Sequence, residues 1–149
     1  MVDLIEGSGI HFASKLSDKY VSNLEELFFF HPAQSRYKRR LLEINQRYGL
    51  PEIIKEGYFV SIKALNSNTQ CLFMVNEDTV LGALVYIRES RDTINVIHFV
   101  TRKLTIQCSG SKLMGLSDYF LKIFLRNMRS IKGVKWLNIL YRKKCVLPV

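Results

Sequence analysis

The residues best suited to chemistry are Gln107-Cys108-Ser109-Gly110-Ser111-Lys112. They lie between a β-branched run, Ile94 to Arg102, and an apolar stripe, Leu113, Leu116, Phe120, Ile123, Phe124 and Ile131, that recurs at helical spacing. A small-residue loop feeding a helix presents backbone N–H groups and the positive end of the helix dipole to an anion. The spacing therefore predicts that the N–H groups of Ser109, Gly110 and Ser111 hold a phosphate. The plainer reading of the same residues is a flexible β-to-α connection. Cys108 has no strong base near it in sequence and is expected to be a passive loop residue.

The charge agrees with an anionic partner. The 149 residues carry a net +9. Residues 1–100 hold 11 Lys/Arg against 12 Asp/Glu, whereas residues 101–149 hold 11 against Asp118 alone. The basic half is thus the half with the loop, and its field attracts a nucleotide cofactor, RNA, DNA or an anionic membrane. An apolar share of 48% with 23% charge excludes a disordered chain, and the length fits one domain over 1–149. No apolar run approaches the ~20 residues that span a bilayer, so no membrane partner is expected. The start, Met1-Val2-Asp3-Leu4-Ile5-Glu6, lacks the basic region of a signal peptide. Cys71, Cys108 and Cys145 are odd in number and widely spaced, which predicts free thiols, no metal site and a cytoplasmic location.

These groups need elements to position them. Residues 9–13 read as a short strand, and 17–30 as a helix with Ser17 or Asp18 near its cap and Tyr20, Leu24 and Leu27 on one face. Phe28-Phe29-Phe30 extends that face and His31-Pro32 stops it. A second helix is expected over 35–48, with Leu41, Leu42 and Ile44 inward, ended by Gly49 and Pro51. Residues 51–57 are expected to form a further short helix. Strands follow at 58–65, 71–75, 80–88 and 94–102, with polar turns at 76–78 and 89–93. The long helix carries Arg129 and Lys132 in its last turn and ends at Gly133. Residues 134–141 form a final strand, buried on one face through Trp136 or Leu137. The fold class is α/β, a mixed sheet with helices on both faces.

This order resembles the GNAT superfamily of N-acyltransferases. Its members run strand, two helices, a hairpin whose second strand opens with a hydrophobic residue and Gly, a central strand, an Arg/Gln-x-x-Gly-x-Gly/Ala loop, a helix and a fifth strand. Leu81-Gly82 and Gln107 to Lys112 fall at those places, and the resemblance covers residues 9–141. It implies acetyl-coenzyme A as cosubstrate and an amine as acceptor: a small molecule, a protein or an aminoacyl-RNA. It implies that Gln107, Cys108, Ser109, Gly110, Ser111 and Lys112 hold the pyrophosphate. The backbone of the central strand around Phe99, Val100 and Arg102 pairs with the pantetheine arm. By the same resemblance His98 is the general base and Tyr141 the acid that protonates the leaving thiolate. Lys112 stands where the family keeps a small residue. The helix and two strands that close the family's fold have no room in 142–149, which leaves an open sheet edge suited to a homodimer.

Other readings accompany each residue. His98 is also read as a half-buried histidine bonded to backbone, and Tyr141 as an interior aromatic. Arg36, Lys38, Arg39 and Arg40 read as a solvated helix face paired with Glu43. Arg142-Lys143-Lys144 suits nucleic acid, the adenosine 3′-phosphate of coenzyme A or a solubilising end. Two functions compete with acyl transfer: a degenerate GNAT-like binding or regulatory module, and a basic nucleic-acid-binding domain.

Overall fold

The computed structural model describes residues 2–28, 38–140 and 145–149, with the backbone alone at Cys145. Phe29, Phe30, His31, Pro32, Arg36, Tyr141, Arg142, Lys143 and Lys144 lie outside the described residues.

The chain begins with β1 (Leu4–Ile5), β2 (Ile10–Ala13) and β3 (Leu16–Ser17). Ser17 Oγ then accepts the Lys19 N–H and opens a single 3-10 turn. Helix α1 (Val21–Phe28) buries Leu24, Leu27 and Phe28, one stripe at the expected spacing. Helix α2 (Lys38–Tyr48) buries Ile44 and Tyr48, one turn apart. Leu42 is the exception to the expected inward set, being 54% exposed. Its angular position faces water while Ile44 and Tyr48 face the sheet.

Residues 51–57 are not the short helix expected of them. They form β4 (Pro51–Glu56), paired antiparallel along its whole length with β5 (Phe59–Ala64). A helix of only seven residues recovers little of its nucleation cost, whereas Ile53 and Ile54 suit a strand. Proline at the first strand position lacks only an N–H that the edge leaves unpaired.

The main sheet has six strands in the order β12-β11-β8-β7-β6-β2. Strand β6 (Gln70–Asn76), β7 (Thr79–Arg88) and β8 (Thr93–Thr101) form an antiparallel meander, and β11 (Trp136–Ile139) lies parallel to β8. Residues Ile94 to Thr101 of β8 are all buried, as a strand covered on both faces requires. On one face Phe120 of α3 (Leu116–Met128) meets Phe12 at 5.9 Å and Phe99 at 5.6 Å, both edge-to-face. Gly82 makes this possible, because a Cβ there would stand 2.7 Å from Phe120 Cδ2. On the other face Phe28 of α1 meets His98 at 5.3 Å. Helices therefore cover both faces, as expected.

The largest departure lies between β8 and α3. Gln107 to Lys112 is not a strand-to-helix loop. Thr105–Cys108 is β9 and Lys112–Gly115 is β10, an antiparallel hairpin with Cys108 opposite Lys112. Gly110 and Ser111 both take positive φ, +80° and +63°, to turn the chain at its tip. Leu113 is a strand residue, 52% exposed, and not part of the helix. The helix ends at Met128, so Ile131 and Lys132 lie beyond it. At the far edge Leu137 is the inward residue of β11 and Trp136 is 45% exposed. The expectation of no closing strands needs one amendment: β12 (Cys145–Pro148) pairs antiparallel with β11.

Candidate functional site

The site starts at the last described contact between β8 and the β11 segment, called the fork here. Strands β8 and β11 pair in parallel from Thr93↔Trp136 to Val96↔Ile139. The Leu140 N–H then donates to the Val96 carbonyl at 2.9 Å, and beyond it Ile97 to Thr101 have no β11 partner among the described residues. On the other side of β8 the register against β7 jumps from Val85↔His98 to Tyr86↔Val96, so Ile97 is an extra residue. Such a bulge breaks the ladder and turns a peptide group out of it. The bulge lies one residue past the Val96–Leu140 bond.

His98 follows the bulge directly. Its side chain is 1% exposed beneath Phe28, and burial pushes its pKa down to about 4. The imidazole is neutral at physiological pH, in the protonation state a base needs. Phe99 and Val100 are buried, with the Phe99 ring committed to the Phe120 stack. Their backbone lies beyond the last described β8–β11 pair.

The Arg102 side chain is committed within the fold. Its Nε donates to the Val80 carbonyl at 2.9 Å and its Nη2 to Asn23 Oδ1 at 3.1 Å, while Asn23 Oδ1 also accepts the Val80 N–H at 2.7 Å. The guanidinium fastens α1 to β7 and does not face the fork.

The hairpin separates the remaining expected ligands from the helix terminus. Gln107 is half-buried, Cys108 buried, and Ser109, Gly110, Ser111 and Lys112 exposed. The Ser109 N–H and Oγ donate to Glu6 Oε1 at 3.1 and 3.2 Å, so one of the three N–H groups expected to meet phosphate already meets a carboxylate. That N–H and then the Tyr119 hydroxyl hold the Glu6 pKa down.

The helix terminus itself lies five residues further on. Gly115 is the N-cap of α3, and no described side chain caps it. The Leu116 N–H is taken by the Leu104 carbonyl at 2.9 Å, while Asp118 sits in the first turn. Lys112-Leu113-Met114-Gly115-Leu116-Ser117 carries a basic residue, then Gly three positions on, then a small residue two beyond. This is the spacing sought in Gln107 to Lys112, found in a later register. The signal was available: a helix that starts at Gly115 places Leu116, Phe120 and Phe124 on one stripe without Leu113.

Sequence reasoning also missed a polar cluster on the α1/α2 face beside the fork. Asn95 Nδ2 donates to Tyr48 Oη at 3.0 Å and Glu89 Oε2 at 3.2 Å, and Tyr48 Oη donates to Glu89 Oε2 at 3.1 Å. Asn138 Nδ2 donates to Asn95 Oδ1 at 2.9 Å, bridging β11 to β8 just below the parting. Arg47 closes the cluster on Glu89 at 2.6 Å. Burial, and then the nearby Glu89 charge against it, raise the Tyr48 pKa. Arg40 Nη1 reaches the Leu140 carbonyl at 3.4 Å, at the mouth of the fork. No local pattern marks these residues, because Tyr48 and Asn95 meet across 47 positions.

Among the described residues no three His, Cys, Asp or Glu side chains gather into a metal site, and no helix is long and apolar enough to cross a membrane. No protein-family model matches the sequence, and no curated protein matches it. Among solved structures the chain is similar to a crystal structure of an acetyltransferase from Streptococcus agalactiae 2603, at 14% identity, with 88% of this chain and 72% of that one covered and a TM-score of 0.48. A likeness at that level transfers no activity.

Proposed function

We propose that the protein moves an acetyl group from acetyl-coenzyme A to an amine. The observation that carries this reading is the Ile97 bulge in the central strand β8, combined with an α3 N-terminus whose Gly115 cap has no side-chain bond. In this reading the amides of a pantetheine arm pair with strand backbone at Phe99 and Val100. The first turn of α3 around Gly115 and Ser117, which Lys112 precedes on β10, takes the pyrophosphate. The residues present therefore fit the cosubstrate.

In this reading a peptide N–H at the bulge meets the thioester oxygen as it gains charge. The amine nitrogen forms the new C–N bond, the C–S bond breaks, and the electron pair leaves with sulfur. His98, neutral and one residue from the bulge, takes the proton that the attacking nitrogen loses. Most of the rate comes from holding amine and thioester in line. Arg40 and the Asn95–Asn138 pair flank the acceptor side of the fork and orient the incoming amine.

A second reading, binding of the cosubstrate without turnover, is favoured by Asp118. Its carboxylate shares the helix terminus with the expected pyrophosphate. Calorimetric titration with acetyl-coenzyme A, followed by an amine screen that detects free thiol, separates the two. Micromolar or tighter binding with thiol release supports acyl transfer. Binding without release supports the module, and no binding removes both.

A further inference from the structure

We propose that Ser109, Tyr119 and Lys122 form a seat for a phosphate group, and that a phosphate-bearing ligand exchanges there with the carboxylate of Glu6. The seat is built from three elements. The Ser109 N–H and Oγ reach Glu6 Oε1 at 3.1 and 3.2 Å from the hairpin tip. The Tyr119 hydroxyl on α3 and, more weakly, the Lys122 charge one turn further along that helix add to the Ser109 N–H in favouring the ionised Glu6 carboxylate. A backbone N–H, two hydroxyls and an ammonium form a donor set that suits a phosphate oxygen as well as it suits a carboxylate. The donors make no choice between the two anions.

The strap that carries Glu6 is lightly held. Strand β1 pairs with β9 over only two residues, Leu4↔Ile106 and Ile5↔Gln107. The Glu6 N–H adds one bond to the Gln107 carbonyl at 2.9 Å. Asp3 accepts from the Thr105 N–H at 2.9 Å and Oγ1 at 3.1 Å. Ile5 is 57% exposed, which leaves the partly buried Leu4 as the strap's apolar anchor on the core. The strap is fixed mainly by its two carboxylates, the groups that a polyanion replaces.

Tyr119 lies four residues after Gly115, about 6 Å along the helix. A ligand with two phosphate groups about that far apart would span the helix terminus and the seat together. Coenzyme A, with a pyrophosphate and a separate ribose phosphate, is such a ligand, and in naming it this inference rests on the function proposed above. The seat itself does not depend on that name.

The test titrates coenzyme A and inorganic pyrophosphate into the wild-type chain, Glu6→Gln and Glu6→Gln/Tyr119→Phe. Glu6→Gln is expected to bind about tenfold more tightly than wild type, the factor for a strap that holds the seat roughly nine-tenths of the time. Tyr119→Phe in that background is expected to lose part of the gain. Equal affinity in wild type and Glu6→Gln overturns the seat and leaves acyl transfer standing. Tightening toward pyrophosphate with no binding of coenzyme A keeps the seat and removes the acyl-coenzyme A reading. Binding of neither probe to any variant overturns both. A second measurement needs no variant: saturating ligand should accelerate amide exchange at Ile5, Glu6 and Gly7 in the wild-type chain. Unchanged exchange there, with ligand bound, overturns the exchange of strap for phosphate.

Discussion

The Leu140 N–H donates to the Val96 carbonyl at 2.9 Å, the last bond between β8 and the β11 segment among the described residues. One residue later β8 bulges at Ile97. The proposed acceptor side lies around that bond: the amide pair Asn95–Asn138 below it and His98 beside it.

His98 makes stability depend on pH in a stated window. Its folded pKa, about 4, lies below the ordinary value of 6.5, so the unfolded chain binds the proton first. Stability is fully present above about pH 6.5 and falls as pH drops toward 4, by roughly 3 kcal/mol for this one group. Urea denaturation between pH 7 and 4 should show that fall. His98→Leu should flatten it, and an unchanged slope in the variant assigns the loss elsewhere.

The Arg102 side chain holds the fold together. Its bonds to Val80 and Asn23 imply that Arg102→Met loses about 1–3 kcal/mol of stability, with little change in affinity for acetyl-coenzyme A, because the backbone at 102 is kept. Asn23→Ala should lose a similar amount, and the pair should be non-additive in a double-mutant cycle.

Gly82→Ala should destabilise through overpacking. The new methyl would stand 2.7 Å from Phe120 Cδ2 and 3.1 Å from Thr101 Cγ2, in a core that has no slack on either side. A loss of about 1–3 kcal/mol is expected in chemical denaturation. Adding Phe120→Leu should restore part of it, because the ring is what the methyl meets.

Lys112→Glu tests the later register of the phosphate site. Placed before the α3 terminus, the reversed charge should weaken acetyl-coenzyme A binding about tenfold at low salt and by less at high salt. Gln107→Ala, whose side chain belongs to the hairpin, should change affinity little. The opposite ranking would return the site to Gln107–Lys112.

The meander was legible because its chemistry is local. Val, Ile and Phe fill 71–75, 80–87 and 94–100, and polar turns at Asn76-Glu77-Asp78 and at 89–93 punctuate them. The hairpin at 105–115 was not legible for a local reason too. Its turn uses left-handed Ser111 beside Gly110, and Leu113 happens to continue the periodicity of α3 backward. Gly49 and Pro51 do end α2 at Tyr48, but Pro51 then opens an edge strand where a short helix was expected over 51–57. The Glu6–Ser109 and Tyr48–Asn95 contacts had no sequence signal, since each joins residues far apart through the closed fold.

The most direct test of the fork as the acyl-donor site is amide hydrogen exchange with and without saturating acetyl-coenzyme A. The account expects new protection at Ile97 to Thr101 and at Leu116 to Asp118, with none in the β4–β5 hairpin. Protection confined to other segments, or no change at saturating ligand, would contradict it.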